Sequence, residues 1–333
     1  MSEMIIAFVK VIYIIFTQHK FYAQLERVLN HDVLQKIGNL KKAYPINKKI
    51  KEEINAVMDN NWKTVRKQLK VYLTVYISGL FIYIIPPNVI NFYHKFKGTP
   101  NYAYIPVGAT SFSDDKSMSF PLYYIHLLLD LTGANLAACG SFCFDLLFVI
   151  QCIHCTGLIK VLCLMILCST SDLVPKESRV EYMCCCISHY QNTYEFFKDT
   201  QKMFKHVNVS HFLIIMLESA MVLFNINESL ESDKLTCIRM VIYYIAAIAM
   251  CGVYCYNGQE FTNTSEEISL ALNNCLWYEE SKEFQKLVQM MLLRTNEELH
   301  FDISWFARLS YDTMIKIFKM SYSYFLLLRD ISD

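Results

Sequence analysis

Residues 131–166 read LTGANLAACGSFCFDLLFVIQCIHCTGLIKVLCLMI and form a long apolar run in which only Asp145 and Lys160 are charged. About 20 apolar residues in a helix cross a bilayer, so this run is far longer than one crossing requires. Either one helix crosses and continues into the cytoplasm, or the chain crosses twice with a break near Thr156-Gly157. The continuous helix is favoured, because polar residues gather in the second half of the run: Gln151, His154 and Lys160.

Along the rest of the chain, apolar segments alternate with charged loops. Of 333 residues, 54% are hydrophobic and 19% are charged, whereas about a quarter of a soluble chain is charged. We therefore predict an all-α, multi-pass transmembrane helical bundle that forms one domain over residues 1–333. The predicted spans are 4–18, 70–90, 125–150 with a cytoplasmic continuation to 168, 207–226, 235–256 and 303–328.

Basic residues set the predicted orientation of these spans. Residues 19–70 carry 12 basic and 5 acidic residues, so this stretch is expected in the cytoplasm and the C-terminus outside. The short loop 227–234 then lies outside, where Asn227 of the sequon Asn-Glu-Ser can be glycosylated. The second span is expected to stop at Pro86-Pro87, because proline lacks the N–H that a helix needs.

Three stretches carry a family resemblance when they are taken in order. They are ISHYQNTYEFFKDTQKMF at 187–204, the aromatic and acidic stretch 254–299, and SYSYFLLLRD at 321–330. In insect odorant receptors they resemble, in turn, the cytoplasmic helix before the span predicted here at 207–226, the penultimate helix with the loop after it, and the final helix. That family has seven spans and an orientation inverted relative to G-protein-coupled receptors. The family's first helix has no counterpart here, so the resemblance implies six of seven spans and an N-terminally truncated chain.

The resemblance implies a function, a location and partners. An odorant receptor subunit binds volatile odorants within its membrane bundle and gates a cation channel in a heterotetramer with a coreceptor subunit. It lies among the lipids of the plasma membrane of olfactory sensory neurons. Two alternatives stay open: a gustatory receptor-like channel, and a truncated membrane protein that does not conduct.

Other function classes find little support in the sequence. No glycine-rich phosphate loop, nucleophile elbow or catalytic carboxylate pair is present, so no enzyme and no cofactor are predicted. Zero net charge gives no reason to expect nucleic acid. The Cys-Ile-His-Cys run at 152–155 points its side chains apart on a helix, so no metal site is predicted.

The final helix carries the predicted pore. Residues recur at spacings of three and four along one face: Lys316, Met320, Ser323, Leu327 and Ile331. By resemblance, Leu327 and Ile331 form a hydrophobic gate beside Ser323, and Asp330 favours cations at the outer mouth. The alternative interpretation is that the apolar residues face neighbouring helices and that Asp330 is a solvated terminus.

An odorant pocket needs apolar and aromatic walls with few polar groups. Candidates lie in the outer halves of three spans: Phe81 and Tyr83; Leu131 and Asn135; Met240, Tyr243 and Tyr244. The alternative is that these aromatic residues form the belt at the membrane interface. Charged groups within spans are costly and usually functional, which singles out Glu218 ahead of Asp130 and Asp145. Asp145 is expected to pair inside the bundle.

Overall fold

A computed structural model describes residues 2–30, 34, 48–97, 122–232, 234–304 and 307–332. Its helices are α1 (Ser2–Leu29), α2 (Lys48–Phe96), α3 (Leu122–Cys168), α4 (Arg179–Ser232), α5 (Lys234–Asn274), α6 (Lys282–Thr295) and α7 (Tyr311–Ser332). Beyond an isolated antiparallel bridge between Asp302 and Arg308, these residues contain no β-structure. The predicted all-α class is confirmed.

Three helical segments within the described ranges are long and apolar enough to cross a membrane. They are Ala138–Cys168, Lys176–Leu230 and Cys237–Glu279. The most apolar window of the first is 78% buried inside the protein, whereas that of the last is only 11% buried. The first is therefore a central helix, and the last presents most of its apolar surface outward, as lipid-facing helices do.

Helix α3 is the centre of the bundle and contacts α1, α2, α4 and α5. It runs unbroken through Thr156-Gly157, so the continuous helix is the correct interpretation. Gly157 allows a close crossing with α2, because a methyl group there would overlap the Asn61 side chain. The Asn61 amide donates to the Ile153 carbonyl at 3.0 Å and fixes that crossing.

Predicted helix limits differ from those observed, and two of the differences have a clear physical reason. The stop at Pro86-Pro87 is wrong, because α2 continues through both prolines to Phe96. A proline removes a donor and strains the preceding turn, but apolar membrane helices tolerate it. The final helix begins at Tyr311 rather than near Ile303, because Ile303 and Leu309 pair their backbone with Ala307 and Phe301 in a tight turn.

The long polar extensions of α4 and α5 pack with α6 into a compact end of the bundle. Arg179 at the start of α4 is buried there and donates to the carbonyls of Val174 and Ser171, each at 3.2 Å. Its guanidinium also pairs with Glu280 beside the start of α6. One planar cation thus ties together a turn, a helix start and a loop.

Candidate functional site

A small cleft opens between α4 and α5 in the segments predicted to lie in the membrane. We call it the α4–α5 cleft, and its walls are Ile215, Glu218, Ser219, Val222, Tyr243, Tyr244 and Ala247. Its volume is about 10 Å³, which is room for about one water molecule. The wall is apolar and aromatic apart from Glu218, Ser219 and the tyrosine hydroxyls.

The acidic group in this wall is hydrogen-bonded across the cleft. The Tyr243 hydroxyl donates to Oε1 of Glu218 at 2.7 Å and so links α5 to α4. A hydrogen bond to a charged group is worth about 1.5–3 kcal/mol. The carboxylate that the sequence singled out is therefore part of the contact between the two helices.

Ser219 is the polar group in the cleft that sequence reasoning missed. Its side chain is 2% exposed, and its Oγ has no hydrogen-bond partner among the described residues. Serines within helices commonly donate to a carbonyl one turn earlier. Ser210 of the same helix does so to Val207 at 2.9 Å. An unsatisfied buried hydroxyl costs about 1–3 kcal/mol, so Ser219 marks a position with unmet hydrogen-bonding capacity.

The cleft adjoins the final helix, because its wall residue Tyr244 contacts Phe318. The rings of Tyr244 and Phe318 meet edge to face, with centroids 6.3 Å apart and an interplanar angle of 88°. Ser321 of α7 is fully buried and donates to the Met216 carbonyl of α4 at 2.9 Å. A change in the cleft walls can therefore reach α7 through two adjoining contacts.

Five of the seven predicted odorant-binding residues have described side chains, and two of these five line the α4–α5 cleft. Tyr243 and Tyr244 line the α4–α5 cleft, and Met240 lies half-buried on the preceding turn of α5. Phe81 on α2 is 58% exposed, and Asn135 on α3 accepts a hydrogen bond from the Tyr76 hydroxyl at 3.2 Å. The side chains of Tyr83 and Leu131 lie outside the described residues, as does that of Asp130.

The predicted pore face of α7 points away from the other described helices. Lys316, Met320, Ser323, Leu327 and Ile331, which we call the outward row, are all exposed. Leu327 is 56% and Ile331 75% exposed, and Ser321 and Ile317 on the opposite side are buried. Asp330 is exposed and lies 3.6 Å from Arg329. The orientation of α7 about its own axis therefore leaves the outward row accessible to another subunit or to a pore.

A second ionic site lies deep in the bundle. The Lys10 ammonium group contacts Oδ1 of Asp145 at 2.6 Å, and their side chains are 1% and 5% exposed. Tyr254 also donates to this carboxylate, and Lys10 donates to Ser141 at 3.1 Å. The expected pairing of Asp145 inside the bundle is therefore confirmed, and the network joins α1, α3 and α5.

The predicted glycosylation site and the cysteines can also be placed in the structure. Asn227 is exposed near the end of α4, where the Ser229 hydroxyl donates to the Asn225 carbonyl at 2.6 Å. Within the described ranges, no group of three His, Cys, Asp or Glu side chains converges to hold a metal ion. Cys152 and Cys155 are fully buried and act as small apolar side chains.

Comparisons with known proteins agree on one family. A family model described as 7tm Odorant receptor matches residues 1–322. Odorant receptor 63a of Drosophila melanogaster is 33% identical over 330 residues, which cover 97% of this chain and 79% of that protein. Odorant receptor 67b of the same species is 26% identical over 306 residues, covering 91% and 73% of the two chains.

A solved structure shares the fold. The insect olfactory receptor OR5 from Machilis hrabei, in complex with eugenol, superposes with a TM-score of 0.68 over 99% of this chain and 88% of that chain. The sequence identity is 12%, so this likeness concerns the arrangement of helices alone.

Proposed function

Because the chain belongs to the 7tm odorant receptor family, we propose that it is the odorant-binding subunit of a cation channel that it forms with a coreceptor subunit. The channel lies in the plasma membrane of olfactory sensory neurons. The odorant binds within the membrane helices, and the outward row of α7 lines the pore. No catalytic step and no cofactor enter this mechanism.

The contact between Tyr244 and Phe318 carries the proposal, because it joins a binding wall to the pore helix. Ligand pockets for small molecules usually measure about 300–1,000 Å³, so a cleft of about 10 Å³ is closed. An odorant that enters displaces side chains of the wall, and in our proposal the ring that moves is that of Tyr244. Moving Tyr244 removes its support from Phe318 and so changes the packing of α7.

This arrangement supplies the differential affinity that gating requires. A ligand shifts a two-state equilibrium only if it binds one state more tightly than the other. The closed state has no room for an odorant, whereas a state with the Tyr244 ring displaced does. Odorant binding therefore favours the state in which α7 is repacked.

The outward row suits a hydrophobic gate. Leu327 and Ile331 are large, apolar and exposed, and rings of such residues from several subunits can close a pore by excluding water. Asp330 is exposed beside them and carries a negative charge that favours cations. Ser323 lies on the same row, with its hydroxyl bonded to the Lys319 carbonyl at 3.1 Å.

The test is an odour-evoked current in oocytes. The chain is expressed with an insect coreceptor, and each subunit alone serves as a control, against a broad panel of odorants. We expect a cation current that needs both subunits. Silence despite confirmed expression at the cell surface would contradict channel gating and indicate a membrane protein that does not conduct.

A further inference from the structure

Basic residues lie on one side of α2, directly before its apolar half. They are spaced by three, one and three residues, which places them next to one another on adjoining turns of a helix. We call them the basic face: Lys63, Arg66, Lys67 and Lys70. All of them are exposed, and no Asp or Glu occurs in residues 60–97.

The opposite side of α2 is held against the bundle, which fixes the direction of the basic face. Asn61 donates to the Ile153 carbonyl of α3 at 3.0 Å. Gln68 exchanges two hydrogen bonds with Asn257 of α5, at 3.1 and 2.9 Å. Tyr72 is 1% exposed. The basic face therefore points away from α3 and α5.

The basic face has no salt bridge to any other described residue. Lys48 pairs with Glu52 at the start of the same helix, whereas Asp59, one turn before Lys63, pairs with no side chain of the face. Like charges one turn apart repel each other and weaken a helix. Several unpaired cations side by side therefore favour an anion from outside the chain.

The same side of α2 becomes apolar immediately after the basic face. Ile77 and Phe81 follow Lys70 by about two and three turns and are 42% and 58% exposed. Beside them, Val71 and Leu73 are each 46% exposed. Cations followed by an exposed apolar stripe match the two parts of an anionic phospholipid, its headgroup and its hydrocarbon chains. A soluble phosphate compound would match the cations alone.

From this arrangement we infer that α2 binds a phosphoinositide, an anionic phospholipid whose headgroup carries several phosphates, in the cytoplasmic leaflet. This site goes beyond the proposed function, because it lies apart from the α4–α5 cleft and from the outward row. Neighbouring members of the basic face have Cβ atoms about 5–6 Å apart, so one phosphate group can lie between two of them. The whole face extends over about 10 Å of helix, which suits a headgroup with more than one phosphate.

The test is a titration of the purified full chain in zwitterionic detergent micelles. The probe is a short-chain phosphatidylinositol bisphosphate with a fluorescent label, and its polarisation is compared with that in micelles without protein. We expect saturable binding that short-chain phosphatidylcholine does not displace. Inositol trisphosphate, a headgroup without chains, should displace the probe only at concentrations about tenfold higher than the unlabelled lipid, because it cannot contact the apolar stripe.

Two double variants assign the binding to the basic face. Lys63→Gln with Lys67→Gln should raise the half-saturating lipid concentration about 25-fold, roughly fivefold for each cation removed. The matched control is Lys282→Gln with Lys286→Gln, which removes two exposed lysines one turn apart on α6. It changes the net charge equally and should alter the half-saturating concentration less than about twofold.

The outcomes separate a lipid site on α2 from other kinds of binding. Equal effects of the two double variants would indicate attraction by net charge and would overturn the inference. Equal displacement by inositol trisphosphate and by the lipid would indicate a site for soluble polyanions and would also overturn it. The titration requires no current, so a chain that binds the lipid without conducting would support the inference while contradicting the proposed function.

Discussion

The buried ion pair between Lys10 and Asp145 should be far more important for stability than the exposed pair between Arg27 and Asp199. In Asp145→Asn, the Lys10 ammonium group remains buried without a counter-charge, and removal of one partner from such a pair costs about 3–5 kcal/mol. The matched control is Asp199→Asn. Asp199 is 61% exposed and pairs with Arg27 at 2.9 Å, and an exposed pair contributes at most about 1 kcal/mol.

The assay is equilibrium unfolding of the purified protein in mixed detergent micelles, which gives the free energy of unfolding for each variant. The double variant Lys10→Met with Asp145→Asn removes both charges and keeps an acceptor for Tyr254. It should therefore cost less than Asp145→Asn alone. Equal costs for Asp145→Asn and Asp199→Asn, or a double variant that costs the sum of its two parts, would refute this reasoning.

Three further predictions follow from close contacts in the bundle. Gly157→Ala should lower the free energy of unfolding by about 1–3 kcal/mol, because the added methyl group forces α2 away from α3. In the control Gly79→Ala the methyl group meets nothing within 4 Å, so the change should be neutral or stabilising by up to about 1 kcal/mol. Equal effects of the two substitutions would contradict the close crossing. Arg179→Lys should cost about 1–3 kcal/mol in the same titration, because one ammonium group cannot replace a guanidinium that reaches two carbonyls and a carboxylate; wild-type stability in this variant would speak against that role. Tyr244→Leu and Phe318→Leu should each change the odorant concentration that gives a half-maximal current. A double-mutant cycle on these concentrations should give a coupling energy of about 0.5–1.5 kcal/mol. Strictly additive effects would exclude the proposed path to α7.

The sequence predicted the fold class and the family well, because both depend on features that are continuous along the chain. Long apolar runs fix where helices lie, and the stretches 187–204, 254–299 and 321–330 carried the family resemblance. The family model that matches residues 1–322 confirms that resemblance. Helix limits were harder to predict. The apolar segment 207–226 covers less than half of α4, which runs from Arg179 to Ser232, because its polar part is stabilised by packing against α6 and not by a membrane.

The candidate site could be predicted only in part, for a physical reason. Tyr243, Tyr244 and Glu218 are visible in the sequence as aromatic and charged residues within spans. Ser219 is distinguished by a hydroxyl that finds no hydrogen-bond partner among the described residues, a feature that leaves no trace in composition. The partner of Asp145 is Lys10, which lies 135 residues away in the chain, so only the packing of α1 against α3 brings the two together.

The central claim is that the outward row of α7 forms the gate of a cation channel, and Leu327→Asn tests it most directly. The variant is expressed with a coreceptor in oocytes, and the current is measured without odorant. Ile315→Asn is the matched control, because Ile315 is an apolar residue of the same helix with similar exposure, 51% against 56% for Leu327, and lies off the row. A polar side chain at a dewetted gate lets water and ions pass, so we predict a standing cation current in Leu327→Asn and none in Ile315→Asn. Two variants with normal surface expression, no standing current and unchanged odorant responses would contradict the account.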